Sequence, residues 1–140
     1  MTENYKILGR YIKDMSSETP NIETYLFVKD YISKYQLFID ITSKALKNKI
    51  VEINTTLKFE DKESNEKKSY FEIVFATIIK VSDEIKEKKD LEKIILCDVQ
   101  KEIYPNLETS FINLLNNSGY PGIKFEKKID FEKLYNQKFN

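Results

Sequence analysis

Cys97 is the single cysteine in a chain of 140 residues, and histidine is absent altogether. The usual general base and the commonest metal ligand are therefore missing, and one thiol is all that remains of the soft nucleophiles. One cysteine closes no intrachain disulfide and suits a reducing compartment. Inside an apolar helical stripe it reads as a small buried hydrophobe. No cysteine pair and no acid–histidine spacing points to zinc. The three glycines, Gly9, Gly119 and Gly122, are too scattered to cradle a phosphate. Tyrosines, lysines and carboxylates could still build a catalytic site, but no spacing marks one. The expectation is a protein that is not an enzyme and holds no cofactor or metal.

The bulk properties narrow the class further. Apolar residues make up 41% and aromatics 13%, enough for a folded core. Lys and Arg number 23 against 23 Asp and Glu, so no net charge draws the chain to nucleic acid or an anionic membrane. The longest apolar runs, such as Ile73 to Ile79, fall far short of a membrane span, and Lys6, Arg10, Lys13 and Asp14 break up any signal-peptide core. A cytoplasmic protein without membrane insertion is expected, folded as one domain over residues 1–140.

The elements that must position any site are legible from periodicity. Leu91, Ile94, Ile95, Val99 and Ile103 lie at i, i+3, i+4, i+8 and i+12, the stripe of an amphipathic helix. Tyr104-Pro105 predicts a kink or break there, because proline lacks an N–H and constrains the residue before it. Leu107, Phe111, Leu114 and Leu115 continue the stripe in a second helix, and Asn117-Ser118-Gly119 with Pro121 marks its end. Upstream, residues 5–13 read as a strand ended by turn chemistry from Asp14 to Asn21, and residues 22–34 as an irregular segment wrapping the sheet. Tyr35 to Thr42 and Val51 to Phe59 alternate as strands around a turn at Lys47-Asn48. Glu60 to Lys68 reads as a charged, solvated hairpin tip. Ser69 to Val81 is a strand with apolar residues on both faces, Phe71, Ile73 and Phe75 on one and Tyr70, Val74, Ala76 and Ile78 on the other, and so needs cover on both. Helices can cover one face, leaving a partner subunit or an apolar client for the other. The fold class is α+β: a four-stranded antiparallel sheet followed by two helices packed on one face.

The segment Tyr11-Ile12-Lys13-Asp14-Met15-Ser16-Ser17-Glu18-Thr19-Pro20-Asn21 resembles the first-strand motif of the SecB family of protein-export chaperones. That motif has an aromatic, Lys-Asp, a serine, and an acidic residue shortly before Pro-Asn. Ile103-Tyr104-Pro105, Gly119-Tyr120-Pro121, Ile123, Phe125, Ile129-Asp130-Phe131 and Leu134-Tyr135 are similar to the family's second helix and closing segment. Cys97 lies near where many members carry a cysteine. The resemblance spans nearly the whole chain. It implies an ATP-independent chaperone assembled as a homotetramer, a dimer of dimers, which holds unfolded preproteins in apolar grooves and passes them to the translocase motor SecA. Leu37, Ile39, Ser69, Tyr70, Tyr120, Phe131 and Tyr135 match client-groove positions, Ser69 replacing an aromatic. Asp14, Glu18 and Glu72 match the acidic positions that dock SecA, and would form a negative patch if they share one exposed sheet face.

Two features depart from the family pattern. Ile78-Ile79-Lys80-Val81-Ser82 stands where the family has a glycine-containing turn, and the acidic, glutamine-rich tail of many members does not precede the last residue, Asn140. A SecB-like chaperone dedicated to the antitoxin of a toxin–antitoxin pair is the alternative reading. An adaptor or structural oligomer without clients is the reading from a different class.

Overall fold

The structure, a computed structural model, describes residues 4–63, 67–125 and 128–139. Four strands form one antiparallel sheet in the order β1-β4-β3-β2. They are β1 (Tyr5–Glu18), β2 (Gln36–Ala45), β3 (Ile50–Glu60) and β4 (Tyr70–Val81). The α+β architecture expected from the sequence is the one observed.

β3 alternates strictly, with Val51, Ile53, Thr55, Leu57 and Phe59 buried between half-buried neighbours. This is the pattern of a central strand covered on one side. The β2–β3 turn lies where Lys47-Asn48 predicts it, with Asn48 and Lys49 both at positive φ and the Ile50 N–H donating to the Lys47 carbonyl, a type I′ hairpin. In β4, Phe71, Ile73, Phe75, Ile79 and Val81 face the helices and are buried, whereas Tyr70 on the other face is exposed. The 60–68 connection starts less solvated than expected: Asp61 is buried and its Oδ1 accepts the Glu63 N–H. Its tip, residues 64–66, lies outside the described residues.

Two upstream elements correct the sequence reading. β1 runs to Glu18 and not to residue 13. Register shifts at Ile7/Gly9 and Ile12/Asp14 mark β-bulges. The second shift interrupts the alternation and leaves Asp14-Met15-Ser16-Ser17-Glu18 looking like a turn, although each residue pairs with β4. Residues 22–34 are helical: α1 (Ile22–Tyr31), then a 3-10 turn (Ile32–Lys34). Asn21 caps α1, its Oδ1 accepting the Thr24 N–H at 2.9 Å.

The C-terminal helices are α2 (Lys88–Lys93), a π-helical turn (Ile94–Asp98), α3 (Val99–Asn117) and α4 (Phe131–Phe139). α2, the π turn and α3 follow one another directly, so the break expected at Tyr104-Pro105 does not occur: Pro105 lies inside α3. Pro105 is exposed and cannot supply an N–H to the Lys101 carbonyl one turn back. Ile103 and Leu107 on either side are fully buried and hold both halves against the sheet. The glycine stop behaves as expected. Gly119 has φ +99°, its N–H reaches the Asn116 carbonyl, and the Tyr120 N–H reaches Leu115, a Schellman motif.

One core joins sheet to helix: Ile53, Leu57, Phe71, Ile73 and Ile79 pack with Ile94, Val99, Ile103, Leu107, Phe111 and Leu115. A second cluster joins the π turn to α4 through Cys97, Phe131 and Tyr135. Burial raises the Cys97 thiol pKa, the first of its causes. Among the described residues no helix is long and apolar enough to cross a membrane.

Candidate functional site

A groove of about 820 Å³ runs beside edge strand β2. Leu37 and Ile39 supply one wall, on the helix side of the sheet by register with Phe59 and Leu57. Ile123, Phe125, Ile129 and Leu134, from the segment after α3 and from α4, supply the other. Phe125 is fixed at 5.6 Å from the Phe59 ring and stacked at 6.2 Å on Phe111. α4 is held by Asp130, whose Oδ1 accepts the Lys133 N–H, and by the Tyr135 hydroxyl donating to the Lys89 carbonyl at 3.2 Å. Apolar walls open to water and joined to a rigid core can accept apolar side chains.

At one end the groove meets an aromatic and hydroxyl knot. Tyr35, Phe59 and Phe71 lie within 5.4–6.3 Å of one another by ring centre. The Ser69 N–H donates to the Tyr35 hydroxyl at 3.1 Å, while Ser69 Oγ lies 3.1 Å from the Tyr120 hydroxyl and 2.7 Å from Thr19 Oγ1. Burial raises the Tyr35 phenol pKa, against the lowering effect of its Ser69 contact. A larger side chain at 69 would displace these partners, which accounts for the serine where an aromatic is expected.

The residues matched by resemblance to client positions thus separate. Leu37 and Ile39 line the groove, and Ser69 and Tyr120 form the buried knot. Phe131 and Tyr135 are buried against Cys97, with Tyr104 5.5 Å from Phe131. Tyr70 stands on the opposite sheet face, its hydroxyl donating to Glu72 at 2.9 Å.

On that outer face the register lines up the matched acids. Glu18 pairs with Tyr70, Ser16 with Glu72, and Asp14 with Val74. The Glu72 contact, burial, and the charges of Glu72, Glu60 and Asp14 all raise the Tyr70 phenol pKa, so four acidic residues surround one tyrosine when Glu18 is included. Lys58 approaches Glu72 at 4.0 Å, while Lys13 is taken by Glu52 at 3.1 Å. Glu60 was missed in the sequence because it read as part of a loop. The period-two count from Glu52 would have placed it on this face.

A family model described as Preprotein translocase subunit SecB matches residues 1–140. The chain belongs to the SecB family. It is 62% identical over 140 residues, the full length of both chains, to a putative protein-export protein SecB of Pelagibacter ubique (strain HTCC1062). It is 23% identical over 131 residues to the protein-export protein SecB of Bradyrhizobium sp. (strain BTAi1 / ATCC BAA-1182), covering 94% of this chain and 79% of that one. Its fold is similar to that of a Mycobacterium tuberculosis SecB-like chaperone solved with a ChAD peptide from the HigA1 antitoxin, with TM-score 0.65, 11% identity, and coverage of 90% of this chain and 88% of that chain. SecB-family proteins are chaperones of protein export and not enzymes, and they bind unfolded client polypeptides.

Proposed function

We propose that this SecB-family chain is an ATP-independent holdase whose groove beside β2 takes apolar segments of unfolded preproteins. The observation that carries this reading is the groove itself, about 820 Å³, walled by Leu37, Ile39, Ile129 and Leu134 and open to solvent. Its walls are apolar without a fixed polar pattern, which suits clients of varied sequence. Ser69 and Tyr120 support it through the knot, and Phe131 and Tyr135 support it by seating α4. In the same reading residues 1–140 act as one domain in the cytoplasm, as a homotetramer. Asp14, Glu18 and Glu72 dock SecA on the outer sheet face, beside Tyr70, where Glu60 adds a fourth carboxylate.

Refolding of a slow-folding denatured preprotein tests the holdase. The protein without ATP should slow refolding at near-stoichiometric tetramer, and Leu37→Arg with Ile39→Arg should abolish the effect while circular dichroism stays unchanged. Unimpaired retardation by that variant would overturn the groove assignment. The likeness to the mycobacterial chaperone–antitoxin peptide complex favours, as second reading, a chaperone dedicated to an antitoxin. Binding to purified SecA separates the two. The export reading expects binding that Asp14→Lys plus Glu18→Lys abolishes, and no binding by the unmutated protein would sink it.

A further inference from the structure

We propose that the end of the sheet carrying the β2–β3 turn is a docking surface for an anionic lipid bilayer, met peripherally through lysines and one exposed leucine. A net charge of zero hides how unevenly the lysines are placed. Lys6 of β1 and Lys80 of β4 stand directly opposite each other in register, both exposed, a like-charge pair that costs stability unless an anion lies over it. The β2–β3 turn adds Lys47 and Lys49, also exposed. It is tied to the same end, since the Val81 N–H donates to the Lys49 carbonyl at 2.9 Å and the Ser82 N–H to the Asn4 carbonyl at 2.9 Å. Among the described residues none of these four lysines forms an ion pair. Lys49 Nζ reaches the uncharged Ile85 carbonyl, at 3.5 Å. Leu46, next to Lys47, is 48% exposed.

The carboxylates nearby do not cancel this surplus. Glu52, further along the outer face, has Lys13 at 3.1 Å and Lys44 opposite it in register. The 82–90 connection sets Asp83, Glu84, Glu87 and Asp90 against Lys86, Lys88 and Lys89, a deficit of one. Glu3 lies outside the described residues, and counting it as well leaves the end positive. Lysine ammoniums are point charges on flexible stems, and they suit a diffuse anionic surface better than one planar phosphate fork. Each one near an anionic leaflet adds attraction, and an exposed leucine at a turn can enter the headgroup boundary. No exposed aromatic ring stands among them for a nucleobase to stack on. Orientation favours the same partner. Lys80 and Glu72 are eight residues apart on β4, roughly 26 Å, so contact through the lysines holds the outer-face carboxylates clear of a surface that would repel them.

Flotation with vesicles of phosphatidylcholine, pure or with about one-third phosphatidylglycerol, tests this. The full chain should bind the anionic vesicles and not the zwitterionic ones at low salt. About 0.5 M salt should release it, because the Debye length falls to a few ångströms. Lys6→Gln with Lys47→Gln and Lys80→Gln should weaken binding about a hundredfold, each lysine counting for about a factor of five. The matched triple Lys124→Gln, Lys128→Gln, Lys133→Gln removes the same charge elsewhere and should bind as the unmutated protein does. Leu46→Ser should cost about fivefold. Circular dichroism checks the fold of each variant, and Lys47→Gln alone, in the exposed turn, should cost about fivefold without touching the sheet. Absence of binding to the anionic vesicles, or binding that both triples weaken equally, would overturn the proposal. Capture of single-stranded DNA or an acidic peptide through these lysines, without vesicle binding, would assign the surface to that partner and overturn it too.

Discussion

Gln100 is fully buried, a position polar residues rarely occupy without partners on every side. Its Oε1 accepts the Thr55 hydroxyl at 3.0 Å, and its Nε2 donates to the Ile95 carbonyl at 3.1 Å, inside the π turn. It thus joins β3 to a carbonyl that regular α-helical bonding would occupy. Gln100→Leu should cost about 1–3 kcal/mol because the Thr55 hydroxyl loses its acceptor, while adding Thr55→Val should recover much of that loss. Urea midpoints in a double-mutant cycle measure both, and additive costs would show that the pair is not coupled. Nothing in the sequence marks this contact, since a glutamine beside an apolar stripe ordinarily faces water. Ser69 was legible only as an oddity, and its reason lies in Tyr35, Thr19 and Tyr120, which sequence separation hides.

Among elements, β2, β3 and the long C-terminal stripe were legible because burial on one face leaves a clean period of 2 or 3.6, and β4 as an apolar run on both faces between charged segments. α1 was not, because its apolar residues encircle it: Val28 is buried, yet Ile22, Leu26, Phe27 and Tyr31 remain exposed. Asn21 with Glu23 in the first turn was the available signal, masked by the turn chemistry of Pro20-Asn21. The end of β1 was hidden by a bulge. Pro105 misled in the other direction, since a local rule against proline in helices yields to the burial of Ile103 and Leu107. Its cost remains, however. Pro105→Ala should stabilise the fold by about 1–2 kcal/mol, the gain from restoring the bond to the Lys101 carbonyl less the entropy proline removes from the unfolded chain. A thermal melt checks this, and an unchanged or lower Tm would mean that the proline shapes α3 productively.

At the scale of the molecule, β1 is an edge strand of 14 residues that leaves Leu8, Ile12 and Met15 43–49% exposed. Long apolar edges invite pairing. In the proposed homotetramer this edge is a subunit contact, so Ile12→Lys with Met15→Lys should lower the mass found by sedimentation while circular dichroism is retained. A tetramer that withstands both changes would place the contact elsewhere. The strand order has another consequence. It sets the groove strand β2 and Asp14 and Glu18 of β1 at opposite margins of the sheet, three strand spacings or roughly 14 Å apart, while Glu72 and Glu60 carry the acidic patch across β4 and β3 on the outer face. That exceeds the ~8 Å screening length of physiological salt, so the β1 carboxylates scarcely sense charges beside β2. A chain with zero net charge therefore still presents one acidic face. Far from a partner it exerts no pull, and within one screening length its orientation decides whether it attracts or repels.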